Sequence, residues 1–312
     1  MDLRQIRALV AVADHQSFSA AARSLHTVQS NVSTHIARLE RELRATLVDR
    51  STGKLTHEGE AVVARARRIE DELDAITADI SSMVGEIAGT VRVGVIGTTA
   101  RWFVPSLLER AELDYPKLRL IIVDATTTSL VPQVVDGRLD AALVNLPVSN
   151  PDLSTELMFE EDRVVVAPVT HPIAALESIT LAQLAEHPLL LPPRGTNFRD
   201  VADTEAAARG FELQIRAEVD GVRLLASLAF QGFGAALLPA SAAPMHLQSS
   251  TWKRIPVTDL TRRSVGLVTN RRSSPAAPAR EVRRMIREIV ASVGQTQPGI
   301  YPHDDVGRNA PL

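Results

Sequence analysis

The chain has 312 residues, 45 % hydrophobic and 23 % charged, too long for one ordinary domain, which predicts two or three globular units. A net charge of −3 excludes a surface that is basic throughout, while leaving room for a small nucleic-acid-reading module. The absence of cysteine excludes disulfides, thiolate metal sites and thiol nucleophiles, and no run approaches the ~18 apolar residues of a membrane span, so a cytoplasmic protein with no membrane partner is expected.

Residues 3–13 carry an amphipathic pattern (Leu3, Ile6, Leu9, Val10) broken by charges, which predicts a first helix and no signal peptide. From Ser17 to Arg50 two helical segments flank a tight turn. The second has an apolar stripe at Val32, Ile36, Leu39 and Leu43, so Gln29, Ser30, Asn31, Ser33, Thr34 and Arg38 must project elsewhere. Such short donors and acceptors can read base edges and phosphates in a major groove, whereas the competing reading is a plain solvated helix face. Ser51-Thr52-Gly53-Lys54 is a turn signal read as a wing, with Lys54 placed to meet phosphate. Over residues 1–58 eight Lys and Arg face six Asp and Glu, so phosphate attraction per subunit is modest and a dimer would double it.

Thr56-His57-Glu58 offers an N-cap and a first-turn acid, and a helix is predicted from there to about residue 88. Val62, Ala66, Ile69, Leu73, Ile76, Ile80, Met83 and Ile87 alternate spacings of four and three, a heptad seam along a rod of about 46 Å. Either the rod lies on its own chain's core or, because its polar face is extensive, it pairs with a second copy through Val62, Ile69, Leu73, Ile76 and Ile80.

Beyond Gly89-Thr90 strands and helices alternate. Strands are predicted at 91–96, 118–123 and 141–144, with helices at 104–113 and 130–136. A second set has strands near 163–167, 188–191, 214–219 and 235–238 and helices near 199–209 and 222–230, followed by a strand at 264–269 and a closing helix at 278–293. The tail, 295–312, is rich in Pro, Gly, Asp and Asn and is predicted to be disordered.

The Ala20-Ala21-Ala22-Arg23-Ser24-Leu25 run, the following polar helix and the Leu39-Glu40 pair resemble the DNA-binding segment of the LysR-type transcriptional regulators. Gly89-Thr90-Val91-Arg92-Val93-Gly94, Tyr115-Pro116, Gly137-Arg138-Leu139-Asp140, His171-Pro172 and Gly232 to Pro239 extend the resemblance in order across the second half. It implies an N-terminal all-α winged helix-turn-helix (1–58), a linker and dimerisation helix (59–88), and an α/β effector domain of the two-lobed periplasmic-binding-protein-like fold. Lobe I would take 89–162 and 267–294 and lobe II 163–266. The implied partners are operator DNA, a small effector, further copies in a homodimer or homotetramer, and RNA polymerase. Where the family usually enters its recognition helix with Ser-Gln-Pro-Ala, this chain has Val28-Gln29-Ser30-Asn31, leaving Thr27 as the nearest N-cap and predicting a first turn one residue early.

Ligands of open parallel sheets sit beyond the carboxyl ends of the strands. There the sequence places Thr98-Thr99, Thr126-Thr127-Thr128, Asn145 and, from the second lobe, Arg194 to Arg199. The family's effector contacts carry over to Thr98, Thr99, Thr128, Asn145 and Thr196, suiting a small anion at helix starts; plain turn and cap roles are the alternative. Arg101 and Trp102 could border the cleft. Gly53-Lys54 lacks the upstream glycine of a phosphate loop, the histidines have no metal-ligand spacing, and no serine occupies a nucleophile elbow. The expectation is a regulator with no enzyme activity, cofactor or metal. The rival is a small-molecule binding protein whose N-terminal helices serve assembly alone.

Overall fold

The computed structural model describes residues 1–83, 86–243, 251–272 and 274–303. At the N-terminus, α1 (Leu3–His15) starts in a capping box between Asp2 and Gln5, and α2 (Phe18–Ser24) is capped by Ser17. Helix α3 (Gln29–Leu43) begins after Val28, which supplies no side-chain cap. The early first turn expected from Thr27 does not form, because the Thr27 hydroxyl accepts from Asn31 Nδ2 at 3.0 Å instead of capping the backbone. Val32, Ile36 and Leu39 are fully buried against Leu9, Val12 and Ala21, while Leu43, expected on the same stripe, is 40 % exposed at the last turn.

The wing closes through an antiparallel bridge between Val48 and Leu55. Gly53 turns it at φ +71°, and a Cβ there would sit 2.5 Å from the Gln16 carbonyl oxygen, so both conformation and space require glycine. Helix α4 (His57–Met83) follows at once, about 40 Å long. It was expected to reach residue 88; Ile87 lies past it, and residues 84–85 fall outside the described set.

Lobe I is a six-stranded sheet in the order β11-β4-β10-β3-β1-β2, built from β1 (Gly89–Val95), β2 (Leu118–Asp124), β3 (Ala141–Asn145), β4 (Leu153–Glu161), β10 (Arg263–Asn270) and β11 (Ile300–Pro302). Helices α5 (Gly97–Asp114), α6 (Thr127–Val135) and α10 (Ala277–Val293) cover it. Lobe II is a five-stranded sheet, β7-β6-β8-β5-β9, of β5 (Arg163–Pro168), β6 (Leu189–Leu191), β7 (Ile215–Glu218), β8 (Ala235–Pro239) and β9 (Trp252–Pro256). It packs α7 (Leu181–Ala185), α8 (Asn197–Ala208) and α9 (Val222–Phe230). The two lobes have separate cores, around Phe103, Leu143, Phe159 and Ile286 in the first and Leu181, Leu189, Ala202 and Leu237 in the second.

Three sequence expectations are corrected. Strands β4 and β9 and helix α7 were not expected. The boundary at 266 falls inside β10, which belongs wholly to lobe I because it pairs with β3 and β4 along its length. The tail expected to be disordered is ordered through residue 303. Ile300 is buried, β11 pairs antiparallel with β4, and Tyr301 donates its hydroxyl to Asp162 at 2.9 Å. Residues 304–312 lie outside the described residues. Among the described residues no helix is long and apolar enough to cross a membrane.

Candidate functional site

Helix α3 presents Gln29, Ser30, Asn31, Thr34 and Arg38 exposed, and the wing residue Lys54 is exposed as well. Gln29 Oε1 accepts from Ser19 Oγ at 2.7 Å and Asn31 Nδ2 donates to Thr27 at 3.0 Å, so each amide is held by one end and offers the other outward. Ser33 differs. It is half-buried, and its hydroxyl accepts from Arg50 Nη1 at 2.9 Å, which makes it a support for Arg50. Arg50 also pairs with Glu40 at 3.2 Å, while the other Glu40 oxygen accepts from the backbone N–H of Leu47 and Val48. Leu39 thus fills the core and Glu40 pins the wing to α3. Arg50 is the exposed cation that sequence reasoning missed on this face; its spacing from Glu40 carried no helical signal.

On the rod, the seam does not behave as one surface. Val62, half-buried, packs against the winged-helix core and Ala66 is buried against Ile6 and Val10 of α1, so both positions contact their own chain. Ile69 is at the margin, 37 % exposed, and Leu73 is half-buried. Ile76, Ile80 and Met83 stand 62, 59 and 80 % exposed.

Between the lobes, four helices start at the carboxyl ends of strands with no side-chain cap: α5 after Ile96, α6 after Thr126, α8 after Thr196 and α9 after Gly221. Each aims uncapped backbone N–H groups and a positive dipole end out of its sheet. Thr98 and Thr99 occupy the first turn of α5. Thr99 Oγ1 and Asn145 Oδ1 are buried without a hydrogen-bond partner, on neighbouring strand ends since Val95 of β1 pairs with Leu143 of β3. The Asn145 N–H is held by Thr127 Oγ1 at 3.1 Å; Thr128 is exposed and shares a 2.9 Å hydroxyl bond with Thr126. The Thr196 hydroxyl donates to the Pro193 carbonyl at 2.8 Å. An inter-lobe groove of about 720 Å³ runs between α5 and α9, and of the five expected contacts only Thr98 lines it.

The cleft floor is ionic. Glu161 ends β4 and Arg163 begins β5, so the crossover between the lobes is itself flanked by charge. Arg263, at the start of the returning β10, pairs with Glu161 and donates to Thr98 Oγ1 at 3.1 Å; the Ser241 N–H of lobe II also donates to Glu161. Arg163 donates to the Phe198 carbonyl at 2.8 Å, and burial, with Arg263 adding, pushes its guanidinium down to about 10. Glu161 and Arg263 are 102 residues apart, which is why no local pattern announced them. At the mouth, Arg223 of lobe II pairs with Asp124 of lobe I at 2.7 Å, beside Gly97, whose missing side chain leaves room for both. Arg101 lines the groove, whereas Trp102 packs edge-on between Phe103 and Phe159 in the core and is no cleft wall.

Residues 3–60 match the family model described as bacterial regulatory helix-turn-helix protein, lysR family, and residues 85–291 match the LysR substrate binding domain. A probable hydrogen peroxide-inducible genes activator of Streptomyces viridosporus is 32 % identical, covering 94 % of this chain and 90 % of its own. The DNA-binding transcriptional dual regulator OxyR of Escherichia coli K12 is 28 % identical, covering 93 % and 95 %. The solved structure of a full-length cysteine-to-aspartate OxyR variant from Pseudomonas aeruginosa superposes with a TM-score of 0.75 at 25 % identity, covering 95 % and 97 %.

Proposed function

The chain belongs to the LysR family of bacterial transcriptional regulators, and on that premise we propose how it reads DNA and what it senses. Two copies pair along the exposed second half of α4 and set two α3 helices into successive major grooves of a near-palindromic operator. Gln29, Asn31 and Thr34 read base edges, while Ser30, Arg38, Arg50 and Lys54 hold phosphates. A small anion between the lobes, met by the first turn of α5 where Thr98 lines the groove, favours one lobe arrangement over another and so biases how the DNA-binding ends are spaced, with RNA polymerase receiving the result. The observation carrying the DNA reading is the set of exposed polar side chains on α3, amides held by one end and free at the other.

The names of the relatives point to peroxide. These 312 residues contain no cysteine, so a signal read through thiol oxidation is closed to this chain, and the proposal is reversible occupancy by an anion. Among the described residues no group at the cleft pairs a nucleophile with a base, and the role proposed is regulatory.

The test is a gel shift on DNA from immediately upstream of the coding region, at about 0.15 M salt with random competitor, where nonspecific contacts weaken. A competitor-resistant shift is expected. Gln29→Ala and Asn31→Ala are each expected to weaken operator binding about 10- to 100-fold and leave random DNA almost untouched. Equal losses on both DNAs would refute base reading; no shift from an intact dimer, with or without candidate anions, would reduce the helix-turn-helix to a scaffold.

A further inference from the structure

A second cavity, of about 120 Å³, lies where the rod meets lobe I, away from the inter-lobe groove. Arg68 and Glu72 of α4 form one wall, and Asp140, Arg272 and Arg283 of lobe I the other. Arg68 Nη2 donates to the Val135 carbonyl at 3.1 Å and Arg283 Nη2 to the Asp140 carbonyl at 2.9 Å. The Nε–H of each is buried and has no acceptor. Among the described residues both guanidinium groups therefore spend their bonds on neutral carbonyls, with no carboxylate in bonded contact.

The acids nearby make no bonded contact with either guanidinium. One Asp140 oxygen accepts from the Arg92 N–H at 2.7 Å; burial pushes that carboxyl up, with Arg92 and Arg283 pulling it back, so Asp140 acts on Arg283 through charge alone. Arg272 is engaged by Asp152. Glu72 is exposed and, although one turn on from Arg68, makes no ion pair with it. Leaving two such donors and their charge half-buried without an acceptor is costly. Water could accept the hydrogen bonds but would leave the charge, and the cavity is several times the ~15 Å³ that one water needs. An ion with several oxygens satisfies donors arriving from opposite walls at once, as arginine forks do with phosphate.

We infer that this cavity is a site for a small inorganic oxyanion of the phosphate type, held between Arg68 of the rod and Arg283 of lobe I. Its occupancy bolts the two together beside a contact already in place, where Asp79 of α4 accepts from the Ala277 N–H at the start of α10 at 2.9 Å. The joint lies between the effector lobes and the DNA-binding end, so the anion stiffens the link through which any cleft signal must pass. The site stands apart from the proposed effector and needs neither DNA nor effector to be tested.

The full chain is titrated with inorganic phosphate and, separately, with chloride at matched ionic strength, following thermal unfolding, titration heat and amide exchange over residues 66–80 and 272–283. Saturable binding of phosphate alone is expected, half-complete below about 1 mM, with slower exchange in both segments. Arg68→Gln and Arg283→Gln are each expected to weaken it about tenfold or more, and Arg216→Gln in lobe II to leave it unchanged. The wild-type comparison requires no variant to fold. An equal response to chloride, no saturable response, or unchanged phosphate affinity in both arginine variants would overturn the site.

Discussion

The two halves of α4 carry one continuous apolar pattern and use it for opposite ends. In the first half, Val62, Val63 and Ala66 close the core of the winged helix, and a Cβ at Gly59 would stand 2.0 Å from the Leu47 carbonyl oxygen, so helix and wing are in van der Waals contact. In the second half, Ile76, Ile80 and Met83 lie more than half exposed on the same stripe. Around Arg68 the rod passes from the winged helix to lobe I, where its only covering is Arg68 on Val135 and Asp79 on α10 among the bonds of the described residues. A heptad period therefore specifies a face without specifying a partner, and the partner can change in mid-helix.

The largest effect expected from that division is on assembly. Ile76→Asp with Ile80→Asp puts four charges into a two-fold seam that buries four isoleucines, and is expected to weaken dimerisation on the order of 10³-fold or more, read by sedimentation. Far-ultraviolet circular dichroism of the winged helix should not change. A persisting dimer would refute the seam. Val63→Ala, one turn inside the first half, is expected to destabilise the winged helix by about 2 kcal/mol in urea unfolding and to leave the dimer constant unchanged. A change in dimerisation larger than the loss in folding would show that the two halves are one surface after all.

The same division explains what could be read in the chain beforehand. Periodicity located α1, α3, α4 and α10 because each carries one apolar stripe, and turn residues located the wing. Strand β4 escaped because Glu156, Glu160 and Glu161 interrupt its alternation; two of them are there for partners elsewhere, Arg287 and Arg263. Strand β11 escaped because Ile300 and Tyr301 stand isolated among Pro, Gly and polar residues, and its order comes from the β4 edge and from Asp162, which no local propensity encodes. At the cleft, the place of Thr98 in the first turn of α5 was legible because strand ends and helix starts are local features. The Glu161–Arg263 pair and the Arg223–Asp124 contact were not, since both depend on how two lobes come together. Ser33 shows the reverse error: its position on α3 was read correctly, but its hydroxyl is taken by a residue 17 positions on.

The finest test of the boundary is Glu70, which sits where the first half of the rod ends. Arg7 Nε approaches it at 3.9 Å, and an ion-pair reading makes Glu70 a stabilising contact between α1 and α4. Burial outweighs that contact: it pushes the Glu70 carboxyl above the ordinary glutamate value, with Arg7 and Arg67 pulling back only in part. A carboxyl whose folded pKa exceeds its unfolded value gives stability that is complete below the unfolded value and is lost as pH rises through the folded one. At neutral pH the charged Glu70 is then a small cost to the joint. Glu70→Gln is expected to raise winged-helix stability at pH 7 by no more than about 0.5 kcal/mol and to flatten its decline from pH 4 upward. If the variant is instead less stable at pH 7 than at pH 4 relative to the wild type, the Arg7 pair dominates, and the first half of the rod is held to α1 by charge as well as by Val63 and Ala66.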